Sequence, residues 1–149
     1  PEAASGRALS SDGLEDNSST IEASSITGGE YRPESFGYDA RLGLKAYLVA
    51  TRVEPSPAAA GALIRITVSY ALFGAPNDID VEEIRSLYKD GKKIAGLAAG
   101  KGSRQNGLWR STQPAQLPTG LAPGNYTVVT EAFHENQRLI SASAEVAIE

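Results

Sequence analysis

The sequence predicts an all-β protein, an antiparallel β-sandwich of about seven strands, and three observations support this prediction. Short segments rich in β-branched and aromatic residues recur along the chain, and glycine, proline or Asp-Gly turn signals separate them. Several of these segments alternate apolar with polar residues, as strands with one buried face do. The one stretch that could be written as a helix, 80–89, is β-branched and runs into Asp-Gly, so a strand is favoured there.

The first two predicted strands lie on either side of a proline-rich break. Residues 44–53 form the first strand, and two prolines, Pro55 and Pro57, end it because they remove backbone donors. Residues 61–73 form the second, in which apolar and polar residues occupy opposite faces. The residues predicted to face the core are Ile64, Ile66, Val68, Tyr70 and Leu72, and those predicted to face solvent are Arg65, Thr67 and Ser69.

The middle of the chain predicts a hairpin followed by a loop. Residues 79–88 form a strand with Val81, Ile84 and Leu87 in the core, and the change of phase between Val81 and Ile84 indicates a β-bulge. Asp-Gly at 90–91 predicts a type I′ turn, because both central residues of that turn need positive φ. The sequence then predicts a returning strand at 94–98, a loop at 100–107 and a short strand at 108–111.

The last part of the chain predicts a terminal hairpin, with strands at 126–133 and 139–148. Before it comes Leu121-Ala122-Pro123-Gly124-Asn125-Tyr126, which resembles the Leu-x-Pro-Gly-x-x-Tyr segment of fibronectin type III and related immunoglobulin-like domains, with a spacing one residue shorter. The resemblance implies an immunoglobulin-like sandwich in which the Tyr126 hydroxyl bonds to upstream backbone and Leu121 closes one end of the core. It also implies a module of a bacterial exported or surface protein. Such modules adhere, space or assemble.

Residues 1–40 differ in composition from the rest of the chain. They carry eight acidic and two basic side chains, whereas residues 41–149 carry ten acidic and twelve basic ones. Richness in Ser, Gly and Glu predicts a flexible acidic linker or tether. Within it, residues 20–27 are predicted to pair as an added strand, with Thr20, Ile21 and Ile26 as partner-binding residues. The predicted organisation is therefore an N-terminal segment, 1–40, and a sandwich, 41–149.

Missing residue types restrict the chemistry. The chain has no cysteine and a single histidine, His134, so thiolate nucleophiles, disulfides and cysteine-based zinc sites are excluded. No Gly-x-Ser-x-Gly elbow accompanies the histidine, and we expect no enzyme. Cysteine-free, Ser-, Thr-, Gly- and Ala-rich chains are typical of exported bacterial domains, so we expect a periplasmic, cell-surface or extracellular location. No apolar run reaches the ~18 residues that span a bilayer, and a membrane tether would lie outside this sequence.

An acidic run suggests a calcium site. Asp78, Asp80 and Glu82 would lie on one side of a strand, and calcium prefers carboxylate oxygens. The alternative is a solvated acidic edge that discourages aggregation. Calcium is the one cofactor that the sequence suggests.

A basic, aromatic stretch suggests a second site. Lys101, Arg104, Trp109 and Arg110 are predicted to surround one loop, where they could contact a glycan or an anionic polymer. The alternative is that the tryptophan packs against the core.

These patterns lead to two expectations of function. The first is a non-catalytic exported module that binds a protein partner or self-assembles, by main-chain pairing at a sheet edge. The alternative is a carbohydrate- or calcium-dependent ligand-binding domain, for instance an accessory domain of a larger secreted protein. Nucleic acid is not an expected partner, because the acidic segment lacks the basic stripe that such binding needs.

Overall fold

The computed structural model describes residues 21–26 and 31–149. Regular structure in this part of the chain is almost entirely β-strand, apart from short 3₁₀ turns at Pro33–Phe36 and Ala40–Leu42. In chain order the strands are β1 Glu22–Ser25, β2 Lys45–Glu54, β3 Leu63–Phe73, β4 Ile79–Lys89, β5 Lys92–Arg104, β6 Gly107–Gln116, β7 Gly124–His134 and β8 Gln137–Ile148. No helix in the described ranges has the length and apolar character of a membrane span.

The strands form two four-stranded sheets, and all pairing between them is antiparallel. The strand order is β1-β6-β3-β2 in the first sheet and β5-β4-β7-β8 in the second. After β2 the chain crosses to the edge of the second sheet, where Ala58 forms a parallel bridge with Ile148. The architecture is an antiparallel β-sandwich, so the predicted fold class is confirmed, with eight described strands where about seven were predicted.

Two apolar clusters fill the space between the sheets. Ile64 and Ile66 belong to the first, and Val68, Tyr70 and Leu72 to the second. Each of these five side chains is at most 1% exposed, which confirms the predicted core face of β3. The two clusters draw residues from both sheets, as expected of a sandwich core.

Strand β4 differs from its prediction. Ile84 lies on the outer side and is half-buried, whereas Glu83 and Arg85 are completely buried. The inward residues therefore alternate without interruption from Ile79 to Leu87. The bulge predicted between Val81 and Ile84 is absent, and the register shifts with β5 instead fall between Arg85 and Ser86 and between Leu87 and Tyr88.

Strands β5 and β6 are longer than predicted. Strand β5 continues to Arg104, so the predicted loop at 100–107 is wrong and the connection is a tight turn at Gln105 and Asn106. The glycines that suggested a loop permit close packing instead. A Cβ at Gly102 would meet the guanidinium of Arg104, and one at Gly100 would meet Ile21. Glycine in a strand often marks such an approach.

The N-terminal segment packs on the sandwich from Tyr31 onward. Tyr31 and Tyr38 stack on Phe73 with ring centroids 4.5 and 4.7 Å away, and Phe36 and Tyr47 complete the aromatic cluster. The Tyr31 hydroxyl donates to the carbonyl of Leu72 at 2.5 Å. These residues cover part of the outer face of the first sheet, so the linker prediction does not hold for them. The predictions for residues 1–20, Thr20 included, and for 27–30 lie outside the described residues.

The turn before β7 has the predicted form. The Tyr126 hydroxyl donates to the carbonyl of Ala122 at 2.8 Å, and Leu121 packs against the adjoining core cluster. Pro123 is exposed, and Gly124 begins the strand with a φ of 146°, a value that favours glycine. Both expectations drawn from the immunoglobulin-like resemblance, a tyrosine bonded to upstream backbone and a leucine at the end of the core, are therefore confirmed.

Candidate functional site

Strand β1 adds to the first sheet along the edge of β6. Its register pairs Glu22 with Thr112 and Ser25 with Trp109, and the amide of Ile26 donates to the carbonyl of Leu108 at 2.8 Å. In the described part of the chain, β6 is its single strand partner. An added strand was predicted in this segment, and it pairs with the edge of its own domain.

The side chains of β1 point alternately into and out of the sandwich. Ala23 is half-buried beside the inward residue Ser111, and Ser25 is the register partner of Trp109, while Glu22, Ser24 and Ser25 are exposed. The segment has an isoleucine at each end. The Cδ1 atom of Ile21 would be 2.7 Å from a Cβ at Gly100, so Ile21 closes the gap to the second sheet.

The other end of the segment is fixed on the outside of the sheet. Ile26 packs against the apolar residues Ala71, Phe73 and Leu108, next to the aromatic cluster. On the same outer side, a shallow cavity of about 320 Å³ runs along β1 and β6, lined by Glu22, Ala23, Ser24, Arg110 and Thr112. The β6 edge therefore presents a defined site for an extended segment, which β1 occupies.

A buried ionic layer lies beneath this edge. The Glu83 carboxylate accepts from Nη1 of Arg85 at 3.1 Å, from Nη2 of Arg104 at 3.2 Å and from the hydroxyl of Tyr70 at 2.8 Å. The hydroxyl of Ser111, on β6, donates to the same carboxylate. One carboxylate thus accepts four hydrogen bonds.

Further hydrogen bonds connect Arg85 to β6. Its guanidinium donates to Gln113 at 2.9 Å and to Ser111 at 3.3 Å. Two atoms in the layer have no hydrogen-bond partner among the described residues, Nε of Arg85 and Oγ1 of Thr130. Arg85 and Thr130 are register partners on neighbouring strands.

The ionic layer contains more positive than negative charge. Burial acts to raise the pKa of Glu83, but Arg85, Arg104 and the hydroxyl donors outweigh it and hold that pKa below its ordinary value. Burial, together with the neighbouring carboxylate, raises the pKa of Tyr70, so its phenol stays neutral. Two guanidiniums therefore face one carboxylate. The excess positive charge lies near Trp109, whose ring centroid is 5.2 Å from Cζ of Arg104.

The four residues of the predicted glycan site do not form one surface. Arg104 is 4% exposed and donates to Tyr70, Ser103 and Glu83, so the prediction that it binds a surface ligand is wrong. Strand alternation turns it inward. Trp109 is half-buried, and its indole N–H donates to the carbonyl of Gln105 at 2.8 Å. Lys101 and Arg110 are exposed on opposite sheets.

The predicted calcium ligands are not brought together. Asp78 and Asp80 are exposed, and Glu82 lies opposite Lys101 on β5. Residues 21–26 and 31–149 contain no group of three or more acidic or histidine side chains that could hold a metal ion. Alternate residues on a strand are about 7 Å apart, which separates such carboxylates. His134 contacts the backbone of this run, with Nδ1 2.8 Å from the Asp80 carbonyl.

No protein-family model and no curated protein matches the chain. Similar solved structures include Pseudomonas fluorescens alkylpurine DNA glycosylase AlkC, at 18% identity and a TM-score of 0.46, with 72% of this chain and 31% of that chain covered. A CARDB domain from Pyrococcus furiosus is 12% identical with a TM-score of 0.45, and the match covers 72% and 90%. The Bacillus subtilis sporulation control protein Spo0M is 18% identical, at 0.45, with 72% and 49% covered. This chain spans less than two thirds of the glycosylase and of Spo0M.

Proposed function

We propose that this protein is a non-catalytic module of an exported protein that binds or assembles through protein–protein contacts. The main support is the addition of β1 to the β6 edge. Main-chain pairing of an extended segment at a sheet edge is a general mode of protein recognition, in which backbone hydrogen bonds give affinity and side-chain pockets give selectivity. The β6 edge has both components, with the Ile26 to Leu108 hydrogen bond and the site for Ile21 beside Gly100.

The charged residues favour binding over catalysis. The buried carboxylate and guanidiniums bond to one another on the inner face of the second sheet, where no substrate reaches them. The described neighbours of His134 are a backbone carbonyl and Glu135, the latter with its carboxylate 3.8 Å away. A triad would need a nucleophile beside this imidazole and a buried acid to orient it.

The finer assignment is an immunoglobulin-like module similar to fibronectin type III domains, placed in the periplasm, on the cell surface or outside the cell. Its support is the tyrosine hydrogen bond before β7 together with a cysteine-free composition. The ligand-binding alternative loses support, because Arg104 is buried and the Trp109 indole already bonds to Gln105.

The proposed contact surface is tested by photo-crosslinking in cells that export the full chain. A photoreactive amino acid replaces Arg110, which is exposed in the cavity beside β1, and in a control it replaces Lys101, equally exposed on the other sheet. We expect a discrete protein adduct from position 110 and none from position 101. Failure of position 110 to give any adduct in the exporting cells would overturn the proposal.

A further inference from the structure

We propose that β1 is an exchangeable strand and that the β6 edge accepts residues 21–26 of a second copy of this chain, giving a strand-exchanged dimer. This inference rests on the proposed function and names the partner. Exchange of an identical element between protomers preserves every contact of that element, so it requires no new interface chemistry.

The acceptor edge needs an occupant. Ser111 is 0% exposed beneath β1, and its hydroxyl belongs to the ionic layer around Glu83. Without β1, the outward backbone groups of β6 and the side of this layer would face solvent. An unpaired edge of this kind readily pairs with another strand. The site therefore favours any state in which a matching segment is present.

The matching segment is specified by the site. Ala23 lies beside the buried Ser111 of β6, Ile21 fits the space that Gly100 leaves, and Ile26 reaches the apolar residues on the outer face. The described chain supplies one such segment. A second copy carries the identical residues at the same spacing, and so meets each requirement equally well.

The donor strand is short and largely exposed. It is four residues long, pairs with one strand in the described structure, and three of its four side chains are exposed. In the sequence, four residues, Thr27-Gly28-Gly29-Glu30, connect Ile26 to Tyr31. Contacts in the two forms are the same, so linker length and protein concentration determine which form is populated.

The linker limits the geometry of the dimer. Four residues span at most about 14 Å, so two copies that exchange β1 must meet close to the β6 edge. Each copy then donates and accepts one strand, which gives a closed two-fold dimer rather than a filament.

The chain has no native cysteine, which permits a direct test with the full-length protein. Ser24 and Arg110 are register partners with exposed side chains. Ser24→Cys and Arg110→Cys chains are mixed at high concentration, oxidised, and separated without reductant. We expect the mixed 24–110 disulfide dimer, identified by mass spectrometry of the linked peptides, in large excess over the 24–24 and 110–110 dimers, because exchange holds positions 24 and 110 of two chains together, whereas random collision of exposed thiols forms all three. The double variant provides the control, since it forms this disulfide within one chain when diluted.

The absence of a mixed disulfide, while the diluted double variant links within its own chain, would overturn exchange. The proposed function would survive that result if the crosslinker at position 110 still captured a different protein. A second measurement does not depend on disulfide geometry. Deletion of Gly28 and Gly29 shortens the linker and should raise the dimer fraction in light scattering. A chain that stays monomeric after this deletion, at every concentration reached, counts against exchange in the same way.

Discussion

Glu83 shows how one residue holds a charged layer inside an apolar core. Its carboxylate faces Arg85 and Arg104, which are 0% and 4% exposed. A buried ion pair contributes little net stability by itself, because desolvation offsets the attraction between the charges. Removal of one partner lowers the free energy of unfolding substantially, however, because it leaves the other charge buried without a counter-charge. Glu83 is the sole carboxylate bonded to these guanidiniums in the described structure, so the layer depends on it.

We therefore expect Glu83→Gln to lower the free energy of unfolding by about 3–5 kcal/mol. The substitution keeps the shape of the side chain and removes the charge that two guanidiniums need. Urea denaturation measures the effect. Glu82→Gln, one residue away on the outer side of the same strand, is the control and should change stability by about 0.5 kcal/mol or less. Equal losses in the two variants would contradict a special role for the buried carboxylate.

The same residue predicts a pH dependence. The pKa of Glu83 is lowered in the folded protein, so the fold favours the ionised form. Its stabilising contribution is therefore present above the ordinary value of 4.5 and is lost as pH falls through the folded pKa. We expect the stability difference between the wild type and Glu83→Gln to be largest near neutral pH and to narrow well below 4.5. A difference that stays constant down to acid unfolding would argue against an ionised Glu83.

At Thr130, in contrast to Glu83, we expect a substitution to stabilise the protein. Its Oγ1 atom is buried without a hydrogen-bond partner in the described ranges. Replacement of a buried, unbonded hydroxyl by a methyl group of similar size removes a desolvation cost, so Thr130→Val should raise the free energy of unfolding by about 1 kcal/mol. The control is Thr67→Val, because the Thr67 hydroxyl lies 3.1 Å from that of Thr112 and loses this bond. A destabilised Thr130→Val would mean that the hydroxyl is bonded in solution.

Among the elements, β3 and β4 show what a periodic sequence pattern can and cannot predict. The apolar residues of β3 mark its buried face, and all five are in the core. In β4 two of the inward positions carry Glu83 and Arg85, so a search for apolar residues selected Ile84 instead. Uninterrupted alternation from Ile79 would have identified the charged pair. A charged residue is buried here because its partners come from distant strands, and the local sequence does not contain that information.

In the candidate site, likewise, contacts between residues close in the sequence were predictable and contacts between distant residues were not. The tyrosine turn was predictable because Tyr126 and Ala122 are four residues apart. An added strand near residue 22 was also predictable from its own residues. Its partner was not, because β6 lies more than 80 residues further along the chain. Arg104 was assigned to a surface loop for a related reason. Its neighbouring glycines indicate a loop by composition, whereas in the sheet they leave room for other side chains.

The contact between Ile21, beside β1, and Gly100 on β5 leads to a prediction about these two elements. Gly100→Ala would place a Cβ 2.7 Å from Cδ1 of Ile21, so it should loosen β1 at a cost of about 1 kcal/mol. Hydrogen exchange of the Ile26 amide, which bonds to Leu108, measures the loosening. Ile21→Val should restore protection in the Gly100→Ala background. Gly96→Ala is the control, because a Cβ there meets nothing within 4 Å, and exchange that is equally fast in this variant would refute the contact.

For the whole molecule, the two outer faces of the sandwich differ in the residues that cover them. Residues from Tyr31 onward cover one end of the first sheet, where Phe73 is 4% exposed although its side chain points away from the core between the sheets. The second sheet carries the acidic run and Lys101 on its outer side. The N-terminal segment therefore acts on one sheet in two ways, since it covers the face with aromatic residues and extends the edge with β1.

This arrangement predicts that the N-terminal segment is part of the folded unit. Deletion of residues 1–40 removes Tyr31, Phe36 and Tyr38 from the cluster around Phe73, together with β1, and should lower the free energy of unfolding by about 3–5 kcal/mol. The exposed apolar surface should also cause self-association, which light scattering detects. Deletion of residues 1–20 is the matched comparison, because it retains β1 and the aromatic cluster, and it should lower the free energy of unfolding by less. If the two truncated chains unfolded at the same urea concentration as the full chain, the aromatic cluster and β1 would contribute nothing to the fold, and the segment would be the linker that its composition suggests.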